Sequence, residues 1–230
     1  MSKTVKRKLW HKKDVVEMDH MVEEYNAGKD LQYDQKLVGY DVDGSVAYAK
    51  MLHKDGILSD EELGDLEKGL AQIRDLWEKG EFEVKLEDED CHTAIEAYLV
   101  ANYGDVGKKI HTARSRNDQV IVTERLYIRS KLDQIREFAI KAALGFAKSA
   151  KKHEFVPMPG YTHTQKAMPT TVGMWLGSFA EGLVDGIKFL DTVAQLNNQN
   201  PLGTGAGYGT PFGFDRDYLS ELLGFEKTQS

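Results

Sequence analysis

The sequence predicts an all-α protein, and three observations carry that expectation. Apolar residues recur in alternating steps of four and three from Ile121 through Ile128, Leu132, Ile135, Ala139 and Ala142 to Phe146. A second stripe at helical spacing joins Leu176, Phe179, Leu183, Ile187, Leu190 and Ala194. Only 5 prolines occur in 230 residues, and four of them fall in two places, which leaves long stretches free to be helical.

The elements follow in order. Ser59 with Glu62 is a capping box, Leu63, Leu66, Leu70, Ile73 and Trp77 repeat behind it, and Gly80 ends the helix. Phe82, Val84 and Leu86 alternate with charged residues, which predicts a short extended segment. A helix is expected from about Asp90 to Tyr103, stopped by Gly104. The seam from Asn117 to about Lys152 predicts one helix on the order of 50 Å long. The second stripe predicts a helix from about Thr170 to Asn197, with Gly173, Gly177, Gly182 and Gly186 inviting close approach of another helix. Two such helices cannot cover each other's apolar faces in one short chain, so a bundle completed by other chains is expected. The expected division is an N-terminal helical domain, 1–112, and the first part of a bundle of long helices, 113–230.

Composition narrows the function. With 41% hydrophobic residues the chain can bury a core. A net charge of −7 argues against nucleic acid as the main partner. Lys3, Lys6, Arg7, Lys8, Lys12 and Lys13 are the exception, read as a solvated arm with polyanion binding as the alternative. The one cysteine, Cys91, cannot form an internal disulfide, which points to a reducing, cytoplasmic setting; it lacks zinc-site spacing and reads as a small buried residue. No apolar run is long enough for a membrane span, and no signal peptide is expected.

Four polar stretches exceed what folding needs. Glu89-Asp90-Cys91-His92-Thr93 offers a cap at Asp90 and a histidine in the first turn, where the helix dipole favours the neutral ring; taken alone, His92 reads as structural. His111 to Gln119 places Ser115, Arg116, Asn117 and Asp118 at the start of the long helix, an arrangement that suits a carboxylate or phosphate as well as it suits simple capping. Met158-Pro159-Gly160-Tyr161-Thr162-His163-Thr164-Gln165 reads as a proline-fixed turn presenting His163 for acid–base work from a loop just before a helix. Glycines at 203, 205, 207 and 209 allow close backbone approach to a ligand or to a helix; they fit neither a Walker loop nor a dinucleotide fingerprint.

Together these stretches resemble the argininosuccinate lyase family of the fumarase/aspartase superfamily. The run His-Thr-x-Arg-Ser-Arg-Asn-Asp-Gln, here His111 to Gln119, is its most specific motif. Glu89-Asp90-x-His92-Thr93, Pro159 to Pro169, Pro201 to Ala206, Asp41-Val42-x-Gly44-Ser45 and Lys8-Leu9-Trp10 are also similar. The resemblance implies a helical homotetramer whose active sites draw on three subunits. It implies elimination of argininosuccinate to arginine and fumarate with no metal and no organic cofactor. By position it makes His163 the acid–base histidine, Thr162 a carboxylate binder, Ser115, Arg116 and Asn117 the succinyl site, His92 a supporting residue and Gln165 a support of the His163 loop.

The chain departs from the family in three places. Asp30 or Lys29 stands near a position where the family commonly has a substrate-binding serine, and His11-Lys12-Lys13 replaces a Gly-Gly-Arg-Phe run. The family's loop Gly-Ser-Ser-x-Met-Pro-Gln-Lys-x-Asn-Pro, which supplies a catalytic serine and a lysine, is not in these residues. The expected reading is therefore the N-terminal part of a lyase subunit, inactive alone. The alternatives are a related succinyl-compound lyase and a non-catalytic, crystallin-like protein on the same scaffold.

Overall fold

A computed structural model describes Met21, Glu24, Tyr25 and residues 28–230. The basic arm, Lys8-Leu9-Trp10 and His11-Lys12-Lys13 lie outside the described residues. The chain is mostly helical and forms two compact units, one reaching to Tyr127 and rejoined by Gln199–Ser230, the other Ile128–Asn198.

The first unit is built on α1 (Asp30–Lys54) and α2 (Asp60–Glu78). Ser59 Oγ accepts from the Glu62 N–H and the Glu62 carboxylate from the Ser59 N–H, so the predicted capping box starts α2. After Gly80 the chain runs extended with Phe82 and Val84 buried, but no strand forms. Their backbone groups instead meet Gln35 of α1, whose side chain bonds Phe82 O at 2.7 Å and Val84 N at 2.9 Å. The next helices are α3 (Cys91–Tyr103), capped by Asp90 through Thr93 N at 2.7 Å, and the short α4 (Asp105–Lys109). Val38, Tyr48, Leu52, Leu66, Leu70, Ile73, Ile95 and Leu99 are fully buried where α1, α2 and α3 meet. The start of α5 (Arg116–Lys152) adds Val122 and Leu126 to this core. The returning segment adds Leu202, two short parallel strands β3 (Gln199–Asn200) and β4 (Lys227–Thr228), and α7 (Arg216–Leu223); its pairing with β3 explains why the end of the chain belongs to this unit.

The second unit holds the rest of α5, a β-hairpin of β1 (Pro157–Thr162) and β2 (Gln165–Thr171), and α6 (Val172–Asn197). Phe146 stacks on Phe179 at 5.3 Å and Arg136 pairs with Asp191 at 2.9 Å, joining α5 to α6. The predicted close approach of a helix occurs at Gly173, where a Cβ would fall 2.6 Å from Glu154 Cα and 2.7 Å from Ala150 O. A Cβ at Gly177, Gly182 or Gly186 would meet no group of another described element within 4 Å. Of the seam and stripe residues Ile121, Ile128, Ile135 and Phe179 are exposed, and so are their neighbours Phe138, Leu144, Trp175 and Phe189.

The hairpin corrects the proline-turn expectation. Proline's fixed φ suits an extended segment that needs no amide donor, so Pro157, Pro159 and Pro169 sit in the strands, with Pro159 opposite Pro169. The turn is His163-Thr164, two residues between the register partners Thr162 and Gln165. A two-residue type I′ hairpin loop needs positive φ at both central positions, and His163 and Thr164 have φ 50 and 64. His163 is thus a hairpin tip, separated from α6 by the whole of β2.

Candidate active site

The polar run before α5 is held from three sides. Ser115 Oγ accepts from Asn117 N at 3.2 Å, and Asp118 Oδ1 accepts from Ser115 N at 3.0 Å, so the two residues cap the helix reciprocally. The second oxygen of Asp118 accepts from Gly203 N at 3.1 Å and Gly205 N at 2.9 Å. The glycine loop therefore approaches a helix start. Gly203 and Gly205 have φ 90 and 67, and a Cβ on Gly205 would lie 3.0 Å from Ala113 O. Arg114 is buried, donates to Ser45 Oγ at 3.1 Å and stands 5.1 Å from the Tyr48 ring centre.

Beside this helix start is a cavity of about 440 Å³. Asp30, Tyr33 and Asp34 of α1, Glu89, Asp90 and His92 at the start of α3, and Arg116, Thr123 and Glu124 of α5 line it. Arg116 pairs with Asp90. A neighbouring hollow of about 680 Å³ lies between the glycine loop and α5, with Asn117, Asp118 and Ile121 on its wall. Of the residues singled out from sequence, Asp30, His92 and Arg116 share the first cavity, Asn117 lines the second, and Ser115 is buried as the cap. Thr162, His163 and Gln165 belong to the hairpin of the other unit, all exposed.

His92 departs from the expected neutral ring. Its Nδ1 bonds the buried carboxylate of Asp41. Burial opposes charge on the ring, but the Asp41 charge and hydrogen bond outweigh it, and the His92 pKa is raised. Burial likewise opposes charge on Asp41, yet His92, Arg114 and Gln119 bring it down to about 2. Asp41 was missed as a functional residue, though one signal was present: at helical spacing it shares a face with Val38, Ser45, Tyr48 and Leu52, all fully buried.

Asp41, Cys91 and His92 bring one oxygen, one sulfur and one nitrogen within 4.8 Å of one another, a donor set suited to a borderline metal such as zinc. His92 and Asp41 already engage each other, so an ion would have to displace that bond. Cys91 is a buried thiol whose pKa burial, followed by the charges of Asp41, Asp34 and Asp90, pushes well above the ordinary value; it is no nucleophile in this state.

Glu96, on α3, provides a pH handle. It is buried, 3.9 Å from His111, and burial raises its pKa to about 7 against the pull of Arg114 and Lys108. A raised carboxyl pKa contributes stability that is complete below the unfolded value near 4.5 and is lost as pH rises through 7. Glu96→Gln, which mimics the protonated form, is expected to match the parent in urea at pH 5 and exceed it by about 2–3 kcal/mol at pH 8. Equal midpoints at pH 8 would show that Glu96 ionises freely in the fold.

All four non-glycine residues with positive φ among the described residues, Glu89, Ala113, His163 and Thr164, fall inside the polar stretches singled out from sequence. Such backbone costs about 1–3 kcal/mol per residue and concentrates at functional sites.

The described elements define a class of protein, a mostly helical scaffold whose polar clusters gather at helix starts and at a hairpin tip. The chain belongs to the lyase family, which it matches over residues 13–229. It is 42% identical to an argininosuccinate lyase of Thermotoga neapolitana, covering 96% of this chain and 55% of the relative. It is 40% identical to an argininosuccinate lyase of Bacteroides fragilis, covering 96% and 49%. The chain thus spans about half the length of the curated relatives it matches. Among solved structures it is similar to an EDDS lyase variant with bound fumarate, at TM-score 0.76 and 29% identity, over 93% of this chain and 42% of that one. A fumarate lyase:delta crystallin from Brucella melitensis, at 20% identity and TM-score 0.73, covers 87% of this chain and 48% of its own and shares the fold. No described helix is long and apolar enough to cross a membrane.

Proposed function

We propose that these 230 residues are the N-terminal part of an argininosuccinate lyase, which eliminates fumarate from argininosuccinate and leaves arginine. The observation that carries this reading is the meeting of His92 and Arg116, from two separate family motifs, with Asp30 in one cavity. The two argininosuccinate lyase relatives and the fumarate held by the similar EDDS lyase variant support it.

In the reaction a base takes a proton from the succinyl carbon next to a carboxylate. The electron pair moves into that carboxylate, giving a dianionic aci-carboxylate. The C–N bond then breaks and an acid protonates the departing guanidino nitrogen. Stabilising the dianion is the main electrostatic task. Ser115, Arg116 and Asn117 form the succinyl site at the start of α5, Arg116 exchanging Asp90 for a substrate carboxylate, and Thr162 adds a carboxylate contact. His163 is the acid–base group, Gln165 braces the neck of its turn, and His92 supports the site. Asp30 contacts the substrate in place of the family's serine. We assign residues 1–112 to the N-terminal helical domain and 113–230 to the first part of the central bundle. The open seam residues are its contacts in a homotetramer.

The purified 230-residue chain is expected to release no fumarate from argininosuccinate, followed by ultraviolet absorbance. A chain extended by the remaining half of the subunit is expected to turn over steadily. Steady turnover by the 230 residues alone would overturn the placement of the missing chemistry, and no turnover by the extended chain would overturn the activity. A second reading, a lyase of another succinylated amine, is favoured by Asp30 and by the likeness to EDDS lyase. Comparing several succinylated amines on the extended chain separates the two.

A further inference from the structure

We propose that Asp41 is a positioning residue for His92: it fixes Nδ1 of the ring and so presents Nε2–H to an anionic group of a ligand in the 440 Å³ cavity. The anionic group is a carboxylate if the lyase reading above holds, and the inference about its chemistry rests on that reading.

The argument begins with how tightly Asp41 itself is held. Its carboxylate is 1% exposed. Besides His92 it accepts from Ser45 Oγ at 3.1 Å, from Gln119 Nε2 at 2.9 and 3.2 Å, and from Thr123 Oγ1 at 3.4 Å. Donors from α1, α3 and α5 therefore converge on one carboxylate, leaving it no freedom to rotate away from the ring. The cluster is organised around a charge rather than around mutual satisfaction. By giving its amide N–H groups to Asp41, Gln119 leaves its own Oε1 buried without a partner, a state that costs about 1–3 kcal/mol.

The ring has two nitrogens, and the one not held by Asp41 decides what it can do. His92 lines the cavity, and no described group bonds Nε2. Charges from every neighbouring element bear on the ring. Asp34 and Asp41 act from α1 and Asp90 from its own first turn, while Arg114 and His111 oppose them from the approach to α5. Glu89 and Glu124 stand on the cavity wall. Burial works against the charged ring, and the charge and hydrogen bond of Asp41 work for it. With Nδ1–H held by Asp41, the charged ring offers Nε2–H as a charge-assisted donor. Arg116 lines the same cavity and supplies a second cation for the same anionic group.

Ring-nitrogen NMR of the 230-residue chain reads this without turnover. His92 is expected to titrate above pH 6.5, with Nδ1–H in a strong hydrogen bond. In Asp41→Asn its pKa is expected to fall by at least one unit, a tenfold change in its proton affinity. Succinate is the probe for the anionic group: it is expected to move the Nε2 signal of the parent and to bind Asp41→Asn about tenfold more weakly. If Asp41→Asn fails to fold, Thr123→Val with Ser45→Ala loosens the carboxylate while keeping its charge, and a smaller fall in the same direction is expected. A parent His92 that titrates at or below 6.5, or an unchanged value in a folded variant, overturns the positioning role. Succinate binding that leaves Nε2 unmoved overturns the ligand contact. Either result stands apart from the lyase reading, which fails only if the extended chain does not turn over.

Discussion

His163→Asn in the extended, active subunit is expected to lower kcat by about a thousandfold, the middle of the range for removing a positioned acid–base group. The change is chosen for its backbone. At φ 50 and 64 the tip of the hairpin holds His163 and Thr164 in a conformation that disfavours most side chains and that asparagine tolerates several-fold better than most. The strands on either side pair from Pro157 opposite Thr171 to Thr162 opposite Gln165, so the tip cannot relax without breaking their register. His163→Asn therefore removes the imidazole and keeps the turn. His163→Ala removes both, and is expected to lose an additional 1 kcal/mol or so of stability. Steady-state fumarate release and circular dichroism together check this. A kcat within tenfold of the parent, in a variant with unchanged helicity, would remove His163 from the proton chemistry. Because Gln165 faces Thr162 at the neck of the turn, Gln165→Ala should lower kcat less than His163→Asn does.

The large elements were readable because their signals are local and redundant. The capping box at Ser59 and Glu62, the stop at Gly104 and the seam ending at Lys152 each depend on residues a few positions apart, and each appears where spacing places it. The hairpin was not readable as a hairpin. Three prolines in thirteen residues look like a turn, and the true turn contains neither glycine nor asparagine. Only the pairing of β1 with β2 makes His163-Thr164 the tip. The site was legible as a set of motifs and not as a network. Nothing within the run His111 to Gln119 indicates that Asp118 bonds glycines 85 and 87 positions later, or that Gln119 reaches Asp41 across 78. His92 shows the same limit in electrostatic terms. A helix start favours a neutral ring, and a buried carboxylate from α1 reverses the sign at a range that sequence spacing does not encode. The strained backbone at Glu89, Ala113, His163 and Thr164 then ties separately read motifs to one kind of site, since strain is kept where surrounding structure compensates for it.

Asp118→Ala is expected to be the most damaging single change in the first unit, with a loss of about 5 kcal/mol. The carboxylate is 3% exposed and accepts from three backbone groups, Ser115 N, Gly203 N and Gly205 N. Removing it leaves three buried N–H groups without acceptors, each costing about 1–3 kcal/mol, and a loss of this size approaches the whole stability of many domains. Asp118→Asn separates shape from acceptor number. One amide oxygen can serve either Ser115 or the two glycines, and the NH2 group then faces a donor, so an intermediate loss of about 3 kcal/mol is expected. Urea unfolding orders the parent, Asn and Ala forms, and hydrogen exchange locates the effect. All three amides, Ser115, Gly203 and Gly205, should lose protection in Asp118→Ala, and in Asp118→Asn either Ser115 or the two glycines should. Asn117→Ala is the control: the adjacent residue is exposed, so stability should hold within about 0.5 kcal/mol. If Asp118→Ala costs less than 1 kcal/mol and the glycine amides stay protected, the loop is seated by its own turns and the helix start does not hold it. If the large loss is found, the glycines at 203 and 205 have their physical reason. They donate to the shared carboxylate from a backbone at φ 90 and 67 that side chains rarely adopt, and a Cβ on Gly205 would press on Ala113 O at 3.0 Å.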